Sequence, residues 1–294
     1  YSVDLLAAIN GSPTQGFGYT TLMTNNGKMV NRGVEITLSG EIIRQKDFSW
    51  NASLLYAFNR NKVKHISVQP SLWDSRISMP TSYPMVGKPL YGIYAYKWAG
   101  LNENGDPQVY DAENNVTSGP ARDYHALVYC GTTVPIHNAS LTNVLRYKGF
   151  EFSAMLILDA GHKLRSSNIP SINMSNGRIT STAKGIVDRW TQPGDVTDVP
   201  RLLFSNDTEN FNTHRTELYR YSDLFVYDAS NIRLSNISLA YRVPAHWCKK
   251  ISLSGARLQF NVENVATFAF DSKANYDLGG KVKPNYVWGL YLNF

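Results

Sequence analysis

The side chains that could do chemistry lie scattered along this 294-residue chain and match no known catalytic arrangement. We find no Cys-x-x-Cys, His-Glu-x-x-His, Gly-x-Ser-x-Gly or P-loop sequence. No two of the six histidines have the spacing of metal ligands on a common element. We therefore predict no catalytic residue, no metal site and no cofactor, and we expect that the protein is not an enzyme.

One polar segment permits two interpretations. Asn102-Glu103-Asn104-Gly105-Asp106 is rich in oxygen ligands, as calcium loops are, but it lacks the glutamate that closes such a loop. Asn-Gly is also a strong sequence preference of β-hairpin turns. We favour the hairpin turn.

A second group of residues could bind a ligand through an aromatic ring. Trp73 lies beside Asp74 and near Arg76, so its ring could stack on a sugar or pack on a partner protein. The alternative, which we favour, is that a large loop needs aromatic anchors to fold on itself. We keep Trp73, Asp74 and Arg76 as candidate ligand-binding residues.

The last ten residues predict a strand with one apolar face. Tyr286, Trp288, Leu290, Leu292 and Phe294 alternate with smaller or more polar residues, and alternation at period two is typical of a β-strand. Chain ends are normally polar and frayed, so a terminal aromatic residue indicates contact with a core or with lipid. For a strand in lipid, Trp288, Gly289, Leu290, Leu292 and Phe294 are a candidate barrel-assembly signal, and lipid anchoring alone is the alternative.

Similar alternation predicts antiparallel hairpins along the chain. The predicted strands cover residues 34–42, 48–58, 141–147, 150–158, 237–243 and 258–262, after a short first strand and a loop as far as Gly27. A change of phase between Leu234 and Ile237 predicts a β-bulge. The connections between these strands alternate between short turns of a few residues and very long loops, at 63–135 and 162–230. We place the strand-like pieces at 91–98 and 107–110 inside the first long loop.

Composition excludes some functions and leaves others open. The net charge is +6 with a pI near 9.1, but the basic residues are dispersed and form no nucleic-acid stripe, so we predict no nucleic-acid partner. The two cysteines, Cys130 and Cys248, lie in segments that we place at opposite ends of the molecule, so we expect no disulfide between them. Tyr1 opens in the middle of a predicted strand, so we expect the chain to be the carboxyl-terminal part of a longer protein.

Aromatic placement favours lipid over a protein core. Phe48, Trp50, Phe150 and Phe152 flank the short turns, while Tyr56 lies towards the far strand ends. Aromatic girdles on both sides of an apolar band are typical of a bilayer. The sequence therefore predicts an all-β protein, a transmembrane antiparallel β-barrel with long external loops and short periplasmic turns.

Four stretches resemble the SusC/RagA-type TonB-dependent outer-membrane transporters, in the order and at the spacing of that family. They are Asn31-Arg32-Gly33-Val34-Glu35-Ile36-Thr37-Leu38, Lys148-Gly149-Phe150-Glu151-Phe152-Ser153, Asp188-Arg189-Trp190 with Pro193-Gly194-Asp195 and Val199-Pro200-Arg201, and Asp228-Ala229-Ser230-Asn231-Ile232-Arg233-Leu234. In the last of these, Asn231 stands where the family usually has an aromatic residue.

The resemblance implies a larger parent protein. Residues 1–294 would be the carboxyl-terminal portion of the barrel domain, about the last eight of 22 strands, with the plug domain and the first strands absent from this chain. Members import large nutrients, glycan or peptide oligomers, with a SusD-like lipoprotein over the extracellular face and energy from TonB through the absent amino-terminal region.

The resemblance also implies where the protein works and what it meets there. The location would be the bacterial outer membrane of a Gram-negative, Bacteroidota-type cell, and the further partners would be outer-membrane lipid and the barrel-assembly machinery. Two alternatives stay open: a self-contained eight-stranded outer-membrane barrel acting as an adhesin or small pore, and a secreted carbohydrate-binding β-sandwich.

Overall fold

The computed structural model describes residues 5–10, 21–66, 75–119, 123–174, 183–204, 214–279 and 283–294. Strands dominate these residues; they are β1 (Leu5–Asn10), β2 (Thr21–Arg44), β3 (Phe48–Ile66), β4 (Gly92–Tyr96), β5 (Trp98–Leu101), β6 (Pro107–Tyr110), β7 (Val116–Thr117), β8 (Leu127–Thr132), β9 (His137–Tyr147), β10 (Phe150–Ala160), β11 (Lys163–Arg165), β12 (Asn173–Met174), β13 (Leu203–Phe204), β14 (Val226–Asp228), β15 (Asn231–Arg242), β16 (Gly255–Ala269) and β17 (Asn285–Asn293). The α-helices are short: α1 (Ser75–Ser78), α2 (Arg215–Arg220), α3 (Ala245–Lys249) and α4 (Asn275–Leu278). In the described part of the chain, no helix has both the length and the apolar character needed to cross a membrane.

Eight of these strands form one sheet in the order β1-β2-β3-β9-β10-β15-β16-β17. Every pair in it whose register is described is antiparallel. Short connections join β2 to β3 and β9 to β10, whereas β3 and β9, and β10 and β15, are separated by about 70 residues each, as the sequence predicts. The all-β prediction and the predicted hairpins are confirmed.

The predicted bulge is confirmed, and the predicted start of the second strand is wrong. In β15 the register steps from Leu234 to Asn236, so Ser235 takes no partner on β10 or β16. At the other site, the predicted loop as far as Gly27 ends early, because β2 begins at Thr21 and its first residues pair with β1. Cross-strand pairing there overrides the weak strand preference of the polar residues 24–26.

The chain divides into two compact units. The first comprises residues 1–32, 60–134 and 163–227, and its core contains Tyr94, Tyr96, Val109, Leu127 and Leu218. The strand-like pieces predicted near residues 91–98 and 107–110 belong to this unit and form small separate sheets, β4 with β8 and β5 with β6 and β7. They lie outside the eight-stranded sheet, as predicted. The second unit comprises residues 33–59, 135–162 and 228–294 and contains most of that sheet.

Candidate functional site

One face of the sheet in the second unit is apolar from β3 to β17. Residues directly opposite each other in antiparallel strands point to the same face, so the register defines rows that cross the sheet. The row nearest the short turns consists of Phe48, Tyr147, Phe150, Tyr241, Leu258 and Leu290. The next row consists of Trp50, Leu145, Phe152, Leu239, Phe260 and Trp288. Most of these side chains are exposed large hydrophobic groups rather than members of a protein core.

The apolar face has the height of a bilayer core. Along β3 it runs from Phe48 to Phe58, a separation of ten positions or about 33 Å of strand. With the tilt of about 40° that is usual in membrane barrels, this length spans about 25 Å, the height of the apolar band in such proteins. Tyr56 and Phe58 mark its far end, opposite the aromatic row at the short turns.

Two polar side chains lie on the apolar face, and each has a hydrogen-bond partner there. Asn143 accepts a hydrogen bond from the indole nitrogen of Trp50, at 3.1 Å. His137 Nδ1 lies 2.9 Å from the hydroxyl oxygen of Tyr56. An unpaired polar group in hydrocarbon costs several kcal/mol, so these pairings make the apolar face compatible with lipid.

The opposite face is polar and carries its own ion pairs. Glu151 accepts from Arg146 Nε at 2.7 Å and from Arg257 Nη2 at 3.1 Å. Towards the other strand end, Asp159 accepts from Asn138 at 2.7 Å and from Arg233 at 2.9 Å. Charged groups on this face and hydrocarbon-like groups on the other are the pattern of a barrel wall between lipid and a wet interior.

The bulge opens a cavity of about 460 Å³ beside α4. Its walls include Arg233, Ser235, Asn264 and Thr267, and Asn264 adopts a left-handed conformation with φ +54°. Gly279, at the end of α4, leaves only 3.3 Å between an added Cβ and Thr267, a residue in register with Arg233. The cavity therefore lies on the polar side of the sheet.

The terminal strand β17 pairs with β16 along its length and forms an edge of the sheet within the described residues. Trp288 is 78% exposed, packs on Phe260 at 4.3 Å between ring centroids, and shares the apolar face with Leu290 and Leu292. Gly289 points to the opposite face, and Phe294 follows the strand with 92% of its surface exposed. Trp288, Leu290, Leu292 and Phe294 are thus exposed, and the role of the predicted assembly residues stays a prediction.

A buried ionic cluster anchors the first unit. Arg215 is 1% exposed and donates to Asp106 Oδ1 at 3.1 Å and to the carbonyls of Ile172 and Arg201. Arg201 donates to both oxygens of Asp106, at 3.2 and 2.8 Å. One carboxylate thus joins segments that are about 100 residues apart in sequence.

The segment that contains Asp106 is a hairpin turn. β5 and β6 pair on either side of it, and the Asn102 side chain accepts from the backbone N–H groups of Asn104 and Asp106. Gly105 has φ +73°, and an added Cβ there would collide with the ring of Trp190. The hairpin-turn interpretation is confirmed, and Asp106 accepts from two arginines.

Proteins named as TonB-dependent receptors are similar in sequence to most of this chain. TonB-dependent receptor P3 of Formosa agariphila is 24% identical over 294 residues, which is 93% of this chain and 28% of the relative. TonB-dependent receptor SusC of Bacteroides thetaiotaomicron is 22% identical over 263 residues, 85% of this chain and 24% of SusC. The chain is homologous to the SusC-type TonB-dependent receptors. No protein-family model matches it.

The fold is similar to that of solved structures. The solved structure of the RagAB peptide transporter superposes with a TM-score of 0.72 at 21% identity, over 99% of this chain and 32% of the transporter chain. A second RagAB structure, in the open-open state, gives a TM-score of 0.68. The chain therefore spans about a quarter to a third of the length of these relatives.

The stretches that resemble the SusC/RagA-type transporters have identifiable structural roles. Lys148 and Gly149 form the two-residue loop between β9 and β10, with Lys148 at φ +53°. The stretch at 188–201 folds against the hairpin turn: Trp190 covers Gly105 and Arg201 binds Asp106. In the same stretch, hydrogen bonds from the backbone and side chain of Thr191 hold the pKa of the Asp195 carboxyl below its usual value.

The candidate ligand-binding residues have different outcomes. Trp73 and Asp74 lie outside the described residues. Arg76 is 6% exposed, donates to the carbonyl of Tyr83 at 3.3 Å, and lies over the ring of Tyr94 at 5.8 Å. These contacts stabilise the first unit, and ligand binding by Arg76 stays a prediction.

Sequence reasoning missed the residues that hold the two units in shape. The link from Asp106 to Arg215 spans 109 positions and has no spacing rule that one sequence could reveal. The only sign of this cluster in the sequence was the stretch at 188–201, which resembles the SusC/RagA-type transporters and ends at Arg201. The Asn143–Trp50 bond was likewise missed, because its two residues are 93 positions apart in sequence.

Proposed function

We propose that the chain forms part of the wall and external loops of a TonB-dependent outer-membrane importer of large nutrients, glycan or peptide oligomers. Residues 1–294 would be the carboxyl-terminal portion of its barrel domain, with a plug domain and the first strands in another part of the protein. The single observation that carries the proposal is the continuous two-faced register from β3 to β17.

The resemblance to the SusC/RagA-type transporters and the relatives found support a set of partners for the proposed importer. The chain is homologous to TonB-dependent receptors, and its fold matches the RagAB peptide transporter. We propose a SusD-like lipoprotein over the external loops and energy from TonB through a segment outside this chain. The barrel-assembly machinery would bind the edge of β17, where Trp288, Leu290 and Phe294 are accessible.

The structure gives less support to the two alternative functions. An eight-stranded closed barrel requires its first and last strands to pair. Within the described residues β1 and β17 are the two ends of the sheet and do not pair. In a sandwich the apolar rows would pack on a second sheet, whereas in the second unit Leu258 is 51% exposed.

Fractionation and growth together test the proposal. The full-length protein, tagged in its native host, should stay in the outer membrane after salt and carbonate washes and leave it only with detergent. Deletion of the gene should abolish growth on one oligomeric nutrient, among starch, other glycans and peptide digests, while growth on the corresponding monomers is unchanged. Release without detergent contradicts the membrane location, and equal growth on every oligomer contradicts import.

A further inference from the structure

Three guanidinium groups surround one carboxylate on the polar face of the sheet, beside the short turn at Lys148-Gly149. Arg146, Arg242 and Arg257 line a small cavity of about 130 Å³ together with Glu151. Both oxygens of Glu151 are in use, by Arg146 at 2.7 Å and by Arg257 at 3.1 Å. The site therefore carries more positive than negative charge.

The strand register also brings two of these positive charges directly opposite each other. Arg242 on β15 lies directly opposite Arg257 on β16. Like charges in directly opposed positions destabilise a sheet. Within the described residues Arg242 makes no ion pair, so Glu151 pairs with two of the three guanidinium groups and leaves the third without an anion.

We propose that Arg146, Arg242 and Arg257 form an oxyanion-binding site that takes a carboxylate or phosphate group. Guanidinium groups present planar forks of N–H donors that match both oxyanions. The bound anion would lie near Arg242, the guanidinium without an ion pair, and would relieve its repulsion with Arg257. The site rests on the proposed function in one respect, because the polar face must be open to a wet interior.

Two sources can supply this chemistry, and they predict different results. A free anion from the solvent would exchange and depend on concentration. An acidic side chain from a polypeptide segment packed against the polar face would be fixed in place. The cavity size accommodates either group but not a bulky ligand.

The first experiment uses inorganic phosphate as the probe. The unfolding midpoint of the full-length protein in detergent is measured between 1 and 50 mM phosphate, at constant ionic strength kept with sodium chloride. For a free-anion site the midpoint rises with phosphate in the wild type and is unchanged in Arg242→Gln. Arg44→Gln is the matched control, since Arg44 is a solvated arginine whose side chain is 83% exposed, and it should respond like the wild type.

The second experiment detects a fixed carboxylate. In Arg242→Lys the new amine can be joined by a water-soluble carbodiimide to an acidic side chain within contact distance, and mass spectrometry identifies the joined residues. A cross-link to an acidic residue other than Glu151 establishes the polypeptide source. Arg44→Lys, treated in the same way, controls for random coupling.

The two readouts decide the proposal together. A phosphate response that requires Arg242, or a specific cross-link from position 242, supports the site and names its source. Absence of both overturns it. Neither readout measures location or transport, so failure of the importer proposal would appear in fractionation and growth and would not be confused with failure here.

Discussion

The effect of Leu156→Arg on stability shows whether the apolar face contacts lipid, water or a protein core. Leu156 lies on the apolar face of β10, in register with Leu141 and Leu234, and six residues from the aromatic row at Phe150. Six residues is about 20 Å along the strand, just beyond the middle of the apolar band worked out above. An arginine at the midplane of a membrane barrel costs about 2–4 kcal/mol, or roughly a 30- to 900-fold loss in the folding equilibrium.

Depth dependence distinguishes a bilayer from any other apolar contact. Leu258 lies on the same face but in the row beside the short turns, where an arginine costs only about 0–1 kcal/mol. Ser153 lies on the polar face between Val144 and Ser238, so Ser153→Arg should be nearly silent. A solvent-facing surface would instead give about 0.5 kcal/mol or less at all three positions.

The assay is the denaturant midpoint of the protein in lipid vesicles, followed by tryptophan fluorescence and by the heat-dependent shift in gel mobility. We expect Leu156→Arg to lower stability strongly, Leu258→Arg weakly and Ser153→Arg hardly at all. Equal losses at Leu156 and Leu258 would indicate a protein core, and no loss at Leu156 would indicate water. Either result would refute the assignment of the apolar face.

Four further predictions concern single contacts. Deleting Phe294 should lower the amount of assembled, heat-modifiable protein in membranes, because β17 loses its terminal apolar anchor. Trp50→Phe should destabilise the protein by about 1–3 kcal/mol, since it leaves the Asn143 acceptor unpaired on the apolar face, and adding Asn143→Leu should recover much of the loss in a denaturant titration. Asp106→Asn should destabilise the first unit by roughly 3 kcal/mol, because two arginines, one of them buried, lose their anion, and hydrogen exchange there should rise. Burial raises the pKa of the Cys130 thiol to about 11, so its alkylation by iodoacetamide at pH 8 should be ~100-fold slower than that of a solvated cysteine and should rise about tenfold per pH unit.

Three of these predictions have a separate control or reference, and the Asn143→Leu change serves for the fourth. Asn293→Ala keeps the terminal aromatic residue and should leave assembly unchanged; equal assembly without Phe294 would contradict the anchor. Glu103→Gln removes a charge from the same turn as Asp106 and should be neutral, so equal losses in the two variants would refute the ionic cluster. N-acetylcysteine gives the reference alkylation rate, and a Cys130 rate equal to it would refute the burial of the thiol.

The sheet could be predicted well from the sequence, because the period-two alternation of side chains along a strand is a local pattern. Alternation along β3, β10 and β17 reports directly which side chains share a face, and a bulge must change that phase, as it does at Ser235. The extension of β2 back to Thr21 was missed, because polar residues there become strand only through pairing with β1.

The site was less predictable because its contacts are long-range. The cluster of Arg146, Arg242 and Arg257 forms only once β9, β10, β15 and β16 are in register, since these residues are 15 to 111 positions apart. Asp106 and Arg215 meet through loops whose length carries no pattern. Such contacts can be derived from a fold but not from spacing.

The central claim, that one face of the sheet touches hydrocarbon and the other lines a wet interior, can be measured along β10. Single cysteines at residues 150–160, in a background of Cys130→Ser and Cys248→Ser, are labelled with a fluorophore in the full-length protein and reconstituted with brominated lipids. We predict quenching by lipid at the even positions and by a water-soluble quencher at the odd positions. Quenching without this alternation, or with the two faces reversed, would contradict the account.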